Sequence, residues 1–223
     1  MYQPLTVTAL YDLHHTIATP LLARVTYPWE ALTGLEEFID TLVRALPHEQ
    51  YRSPAPGVWV HVTAQVASTA SLGRGCIIGE GAQVRHGAFI RGNALIGKGA
   101  VVGNSTEIKN AILFDEVQVP HYNYVGDSIL GYRAHLGAGA VTSNVKSDRT
   151  LVTVRFGKSA VETGRKKLGA MLGDRVEVGC NAVLNPGTII GQDSRVYPLT
   201  SVRGYVPPHS IVKQNGGIFP QHV

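Results

Sequence analysis

Arg91 and Lys109 are the two cations of an evenly spaced series that begins at Gly73. If a chain that repeats with that same interval coils on itself, the three stack on one outer face, roughly 5 Å from one to the next. Two cations that close repel unless an anion lies between or beside them, and a phosphate is the natural occupant. A solvated column of surface charge fits the same spacing. Downstream runs Val119-Pro120-His121-Tyr122-Asn123-Tyr124-Val125-Gly126-Asp127. The ordinary pKa of a histidine such as His121 suits general-base work near neutrality. The chain has nine histidines, so residue type alone does not single this one out.

The elements that must position these side chains follow from a count of six. Val60, Val66, Leu72, Ile78, Val84, Ile90, Ile96, Val102 and Ile108 recur every six residues. Four residues after each comes Ala64, Ala70, Cys76, Ala82, Ala88, Ala94, Ala100, Thr106 or Ile112. A helix places apolar residues about 3.6 apart and a plain strand two apart. A period of six fits a short strand and a tight turn, repeated, which is the signature of a parallel β-helix. The hexads resemble those of the left-handed form, with three hexads to a coil. Three hexads is also the interval from Gly73 to Arg91 and from Arg91 to Lys109. The first residue of each hexad then points inward, the fifth fits a corner, and glycines serve the turns. The fold class predicted is mainly β: a left-handed parallel β-helix with an N-terminal helical segment and a projecting hairpin.

The count fails after Leu113 and resumes at Leu130 and Leu136. It fails again after Thr142 and resumes at Leu172, Val178, Leu184, Ile190 and Val196. The division expected is a helical cap and linker over 1–57, a β-helix over 58–213 interrupted at 114–129 and 142–171, and a tail over 214–223. Within the first part, Trp29, Leu32, Leu35, Phe38, Ile39, Leu42, Val43 and Leu46 trace one helical face. Pro28 suits its first turn and Pro47 its stop. Residues 47–57 read as loop. The helix is expected to cover the open first coil, since terminal repeats need capping. Within 142–171, Leu151–Phe156 alternates like a strand and Gly157-Lys158 follows as a turn.

Charged residues make up 16% of the 223, and the net charge of +4 favours anionic ligands. The only basic run is Arg165-Lys166-Lys167, without the interleaved aromatics of a nucleic-acid surface, so no nucleic-acid partner is expected. Cys76 and Cys180 are too few for a disulfide framework. No signal peptide or membrane-length apolar run is visible, and a cytoplasmic location is the expectation.

Three segments carry a closer resemblance: Ser105-Thr106-Glu107-Ile108-Lys109-Asn110, then Pro120 to Asp127, then Leu136-Gly137-Ala138-Gly139-Ala140-Val141-Thr142-Ser143-Asn144-Val145. They resemble the acetyltransferase domain of the bifunctional N-acetylglucosamine-1-phosphate uridyltransferase. They are still more similar to the C-terminal domain of archaeal-type sugar-1-phosphate nucleotidyltransferases, which shares Gly164–Ala170 and a segment like Tyr27-Pro28-Trp29. The resemblance runs over about residues 25–213. It implies acetyl transfer from acetyl-CoA to the amine of an amino-sugar 1-phosphate in a homotrimer, with no metal required. By position it implies His121 as the base; Arg91, Lys109, Tyr124 and Asn144 at the substrate; and Ala138, Lys167 and Cys180 at acetyl-CoA. The hairpin would reach a neighbouring subunit, with Arg165, Lys166 and Lys167 near the CoA phosphates.

Cys180 stands where that family has serine, Val145 where its bacterial members have tyrosine, and His135 where they have asparagine. These departures leave room for a non-catalytic trimeric binding or regulatory module. A trimeric carbonic anhydrase of the γ type needs three histidines converging on zinc, and the separation of His121 from His135 lacks that family's spacing. No glycine-rich nucleotide loop precedes the repeats, so nucleotidyltransferase activity is not expected.

Overall fold

The structure is a computed structural model that describes residues 2–221. Parallel strands stack coil on coil into a β-solenoid with three faces. On the first face Val60, Ile78, Ile96, Leu113, Leu130, Leu172, Ile190 and Val206 pair in sequence. On the second, Leu72, Ile90, Ile108, Val125, Thr142, Leu184 and Val202 do so. On the third run Val66, Val84, Val102, Val119, Leu136, Val178, Val196 and Val212. These columns form the core, and most of their members are fully buried.

The register corrects the expected interruption at 114–129. Ile96 pairs with Leu113 and Leu113 with Leu130, so the solenoid continues through this stretch in coils slightly shorter than three hexads. One residue is lost at a single corner. Gly92 and Asn93, both at positive φ (117° and 49°), turn that corner in the preceding coil. In the next two coils Asn110 and Asp127, each with φ 49°, turn it alone, a conformation that asparagine and aspartate tolerate better than most side chains. Ala111 therefore takes the inner corner and Ile112 points outward, contrary to the corner place expected for Ile112.

Ile112 belongs to a second aliphatic column. Ile77, Leu95, Ile112, Ile129, Met171 and Ile189 each precede an inward residue of the first face, yet all are at most 1% exposed. The N-terminal segment covers them. Tyr11 packs its ring on Phe114 at 5.0 Å and its hydroxyl reaches the Ile129 carbonyl at 3.4 Å. Asp174 accepts from the Asp12 and Tyr132 amides at 2.7 and 2.8 Å. His15 stacks on Tyr132 at 3.7 Å. The segment thus lies along the solenoid's flank, and the expectation that it caps the first coil is corrected. The apolar flank needed covering and the first coil has another cover: Tyr51–Ala55 pairs antiparallel with Val58–His61, so residues 47–57 are not all loop. Pro54 sits in this edge strand, where a missing donor costs least. At the other end Ile218–Pro220 folds back on Ser210–Val212, so this part of the expected tail is strand; His222 and Val223 lie outside the described residues. At each end one face of the solenoid gains an antiparallel strand in this way.

The predicted single helix is two, Pro28–Ala31 and Leu35–Leu42. Gly34 separates them as the N-cap of the second. Glu30 caps the first by accepting from the Thr26 and Tyr27 amides at 3.0 and 2.9 Å.

Between Thr142 and Leu172 the chain leaves the solenoid and forms a hairpin, Thr153–Phe156 with Ser159–Glu162. Its first strand lies on its own solenoid. Val152 and Val154 are fully buried, and Phe156 packs on Tyr205 and Tyr2 at 5.1 and 5.4 Å.

Candidate active site

The shortened corner places Asn110, Asp127 and Asn144 one above another, because they follow the paired residues Ile108, Val125 and Thr142 by two. Asp127 is buried and at the hub. Its Oδ1 accepts from Asn110 Nδ2 at 2.7 Å and its Oδ2 from Asn144 Nδ2 at 2.6 Å. Lys109 Nζ lies 3.5 Å from Oδ2. Asn144 Nδ2 also donates to Tyr124 Oη at 3.2 Å. With both donor contacts on acceptors, the Asn144 side-chain oxygen has no hydrogen-bond partner among the described residues. Tyr124 Oη, already accepting, keeps its own proton for donation. Burial raises the Tyr124 hydroxyl above its usual pKa, and Asp127 and Glu107 add to this, so the proton stays at neutral pH. The Tyr124 ring leans over Gly126, where any Cβ would strike its hydroxyl end.

Arg91 and Lys109 do lie on neighbouring coils, beside the paired Ile90 and Ile108. The expectation that their repulsion calls for an anion is corrected, because each cation has a carboxylate within the chain. Arg91 Nη1 meets Glu107 Oε1 at 2.8 Å, which holds the guanidinium above its usual pKa. Lys109 has Asp127. Both still reach solvent, with 45% and 27% of their side-chain surface open.

His121 occupies the corner before the second face. It is the last residue of the strand Gln118–His121, not part of an extruded loop, and this corrects the expectation attached to the break. Asn123 makes the corner: its side chain is buried at the inner corner position and donates to the Gly137 and Ala140 carbonyls at 2.8 and 3.0 Å. The His121 ring is exposed. The register sets Asn104 on one side of it, and on the other Ala138 and then Cys180, through the bonds Gly139 N to His121 O and Asn181 N to Ala138 O. Three of the predicted site residues therefore share one corner column, and the Cys180 thiol in it is exposed.

Lys167 is set apart from Ala138 and Cys180. It lies at the root of the hairpin, bridged to Val145, and Leu168 N donates to Asn144 O at 2.9 Å. It flanks the Asn144 corner, at the opposite edge of the second face from His121. Arg165 is half-buried and occupied, donating to Thr33 Oγ1 at 2.7 Å and to the Lys167 carbonyl at 3.3 Å. Burial lowers its pKa below the usual value. It therefore anchors the hairpin root to the N-terminal segment, against the expectation of a CoA-facing charge. His135 pairs with Glu177 at 2.8 Å on the third face.

Asp127, Asn110 and Glu107 were missed as site residues. The signal for the first two was present, because Asn110, Asp127 and Asn144 are evenly spaced in the sequence. Their interval falls one residue short of three hexads, and a count in strict sixes hides it.

Residues 74–156 match the family model of the GMPPB C-terminal domain. That span holds Arg91, Lys109, His121, Tyr124, Ala138 and Asn144, and leaves out Lys167 and Cys180. The bifunctional sugar-1-phosphate nucleotidylyltransferase/acetyltransferase of Sulfurisphaera tokodaii is 36% identical over 94 residues, 42% of this chain and 23% of that protein. A protein of Escherichia coli, the uncharacterized acetyltransferase YaiX, is 34% identical over 103 residues, 46% of this chain and 45% of its own. The chain thus spans under half the length of either relative, and each likeness is narrower than residues 25–213. Among solved structures, the acetyltransferase domain of PglB from Neisseria gonorrhoeae is 17% identical, with a TM-score of 0.41 over 84% of this chain and 67% of that one. A score that low carries no weight beside the register itself. The chain is similar, over part of its length, to the GMPPB C-terminal domain and to a bifunctional sugar-1-phosphate nucleotidylyltransferase/acetyltransferase.

No helix is long and apolar enough to cross a membrane. Among the described residues no three His, Cys, Asp or Glu side chains of one chain cluster as metal ligands do.

Proposed function

We propose that the chain is an acyl-CoA-dependent N-acetyltransferase acting on an amino-sugar phosphate such as glucosamine or galactosamine 1-phosphate, with His121 as the general base. The observation that carries this reading is the arrangement around the second face. An exposed histidine stands at one edge; across it stand Lys109, Tyr124 and Asn144, tied together through Asp127, with the Arg91–Glu107 pair on the neighbouring coil.

In this mechanism Arg91 and Lys109 take the sugar phosphate. The Asn144 carbonyl oxygen accepts from the sugar amine and the Tyr124 hydroxyl donates to a sugar oxygen. The neutral amine attacks the thioester carbonyl carbon, and His121 takes the N–H proton as the C–N bond forms. The C–S bond then breaks and the CoA thiolate leaves, to be protonated. A positioned base of this kind contributes about 10²–10⁴ in rate. The column His121, Ala138 and Cys180 gives the donor a path along the corner, with the small Ala138 leaving room for a pantetheine arm. Lys167 stands at the other edge of the face, so a single chain does not gather all three acetyl-CoA residues. A homotrimer, in which the hairpin-root lysine of one subunit meets the corner column of the next, would complete the site. A cytoplasmic location fits the use of acetyl-CoA.

One observation favours a second reading, a non-catalytic binding module. The His121 ring has no hydrogen-bond partner among the described residues to orient it. Acetyl transfer to a panel of amino-sugar phosphates separates the two: turnover that depends on His121 supports the enzyme, and ligand binding without turnover supports the module.

A further inference from the structure

The column that begins with Arg91 and Lys109 does not end at the site. Thr142, Leu184 and Val202 pair on successive coils, so Ser143, Asn185 and Arg203 follow one another down the same face. The hairpin overhangs this part. Gly187 and Gly204, at φ 78° and 80°, let its first strand lie directly on the coils. A Cβ on Gly204 would touch the Arg155 carbonyl oxygen and Cβ at 2.9 and 3.0 Å. This close approach sets Arg155 beside Arg203.

Between the hairpin and the face lies a cleft of about 330 Å³, within the range of small-molecule sites, about 300–1,000 Å³, and larger than one phosphate needs. Ser143, Lys146, Asp148, Arg155, Asn185 and Arg203 line it. Its one carboxylate is already engaged: Asp148 meets Lys146 at 3.3 Å and accepts from the Thr150 amide and hydroxyl at 3.0 and 2.8 Å. Neither Arg155 nor Arg203 has a hydrogen-bond or ion-pair partner among the described residues, and both are exposed. Two unpaired guanidinium forks on facing walls suit two linked phosphates, since each fork can hold one in bidentate fashion.

We propose that this cleft binds the diphosphate of a nucleoside diphosphate moiety, through Arg155 on the hairpin and Arg203 on the solenoid. Two sources share that chemistry: the nucleotide end of the acyl donor, and a free or sugar-linked nucleoside diphosphate. The first source rests on the acyltransferase reading and the second does not. At roughly 4.8 Å per coil, Arg203 lies about 10 Å along the axis from Ser143, and hence from the Asn144 corner. The donor path along His121, Ala138 and Cys180 runs at the opposite edge of this face, so the first source is a donor held on the corner column of a neighbouring subunit, as in the trimer proposed above.

The test is calorimetric titration of the full chain with inorganic pyrophosphate, ADP, CoA and 4′-phosphopantetheine. The proteins are wild type, the double variant Arg155→Ala/Arg203→Ala, and Lys158→Ala as a control for general loss of charge. The arginines are exposed and unbonded, so folding should survive, and a thermal melt checks it. The double variant should weaken pyrophosphate and ADP by about tenfold or more, while Lys158→Ala changes neither. If CoA weakens in parallel and 4′-phosphopantetheine does not, the donor's nucleotide end is the source. If CoA is unchanged, a separate nucleoside diphosphate is the source. Pyrophosphate and ADP that fail to bind wild type, or bind the double variant equally well, overturn the proposal. Because these are binding measurements, a chain with no acetyl transfer could still pass them, and an active chain could fail them.

Discussion

Asn144 Nδ2 lies 2.6 Å from Asp127 Oδ2 and 3.2 Å from Tyr124 Oη. A carboxylate can only accept, so this contact fixes which way the Asn144 amide faces and leaves its carbonyl oxygen outward. The polarity of the proposed substrate pocket is thus set by the buried Asp127.

Asp127→Asn keeps the volume and removes that constraint, since the new side chain can donate as well as accept. A hydrogen bond to a charged group contributes about 1.5–3 kcal/mol, so kcat should fall by about 10- to 100-fold. The KM for acetyl-CoA should stay close to wild type. Steady-state kinetics with each substrate varied in turn makes the comparison. Equal losses on both substrates would point to general disruption of the corner instead.

Gly126→Ala puts a methyl group where the Tyr124 hydroxyl rests. The ring must swing away, at a cost of about 1–3 kcal/mol for overpacking. The expected result is a lower melting temperature together with a raised KM for the amino-sugar acceptor. Removing the ring as well, in Gly126→Ala/Tyr124→Ala, should recover the melting temperature and leave the acceptor KM high.

The two thiols should differ in reactivity. Burial pushes the Cys76 thiol up to about 12, so it stays protonated and sheltered at neutral pH. Cys180 is exposed in the His121 corner column, two coils from His121. Mass spectrometry after brief alkylation at neutral pH should find label on Cys180 and none on Cys76. Saturating CoA should slow the labelling. Labelling unaffected by CoA would remove Cys180 from the donor's path.

Asp174 ties the N-terminal segment to the solenoid, and burial outweighs its two amide hydrogen bonds to raise its pKa above the ordinary carboxylate value. The folded state therefore holds this proton to higher pH than the unfolded chain does. Its contribution to stability is fully present below the unfolded carboxyl pKa, about 3.9, and is lost as pH rises through the raised native value. Urea midpoints measured from about pH 4 upward should decline less over that window in Asp174→Asn than in wild type. Parallel curves for the two proteins would contradict the assignment.

Much of this was legible in the residues. The inward column from Val60 to Ile108 could be read because one face of each short strand must be buried, and that fixes a period. The resemblance of residues 105–145 brought out His121, Tyr124 and Asn144. Two things were hidden for physical reasons. Asn110 and Asp127 each turn a corner that Gly92 and Asn93 turn together, so the coil shortens and a count of sixes reads a continuous solenoid as broken. The flank under the N-terminal segment was marked by doubled aliphatics such as Ile77-Ile78 and Leu95-Ile96 on every third hexad. A pattern sought only at inward positions passes over them. The engagement of Arg91 by Glu107 could not be read from spacing, because it depends on side chains meeting across neighbouring coils.

The central claim is tested most directly by acetyl transfer from acetyl-CoA to glucosamine 1-phosphate and galactosamine 1-phosphate, with wild type and His121→Ala compared at neutral pH. Wild type should turn over at least one acceptor, and kcat should fall by about 10²- to 10⁴-fold in His121→Ala, with CoA binding retained. Wild-type turnover that survives His121→Ala unchanged would contradict His121 as the base. A well-folded protein that transfers acetyl to neither acceptor would contradict the proposed reaction.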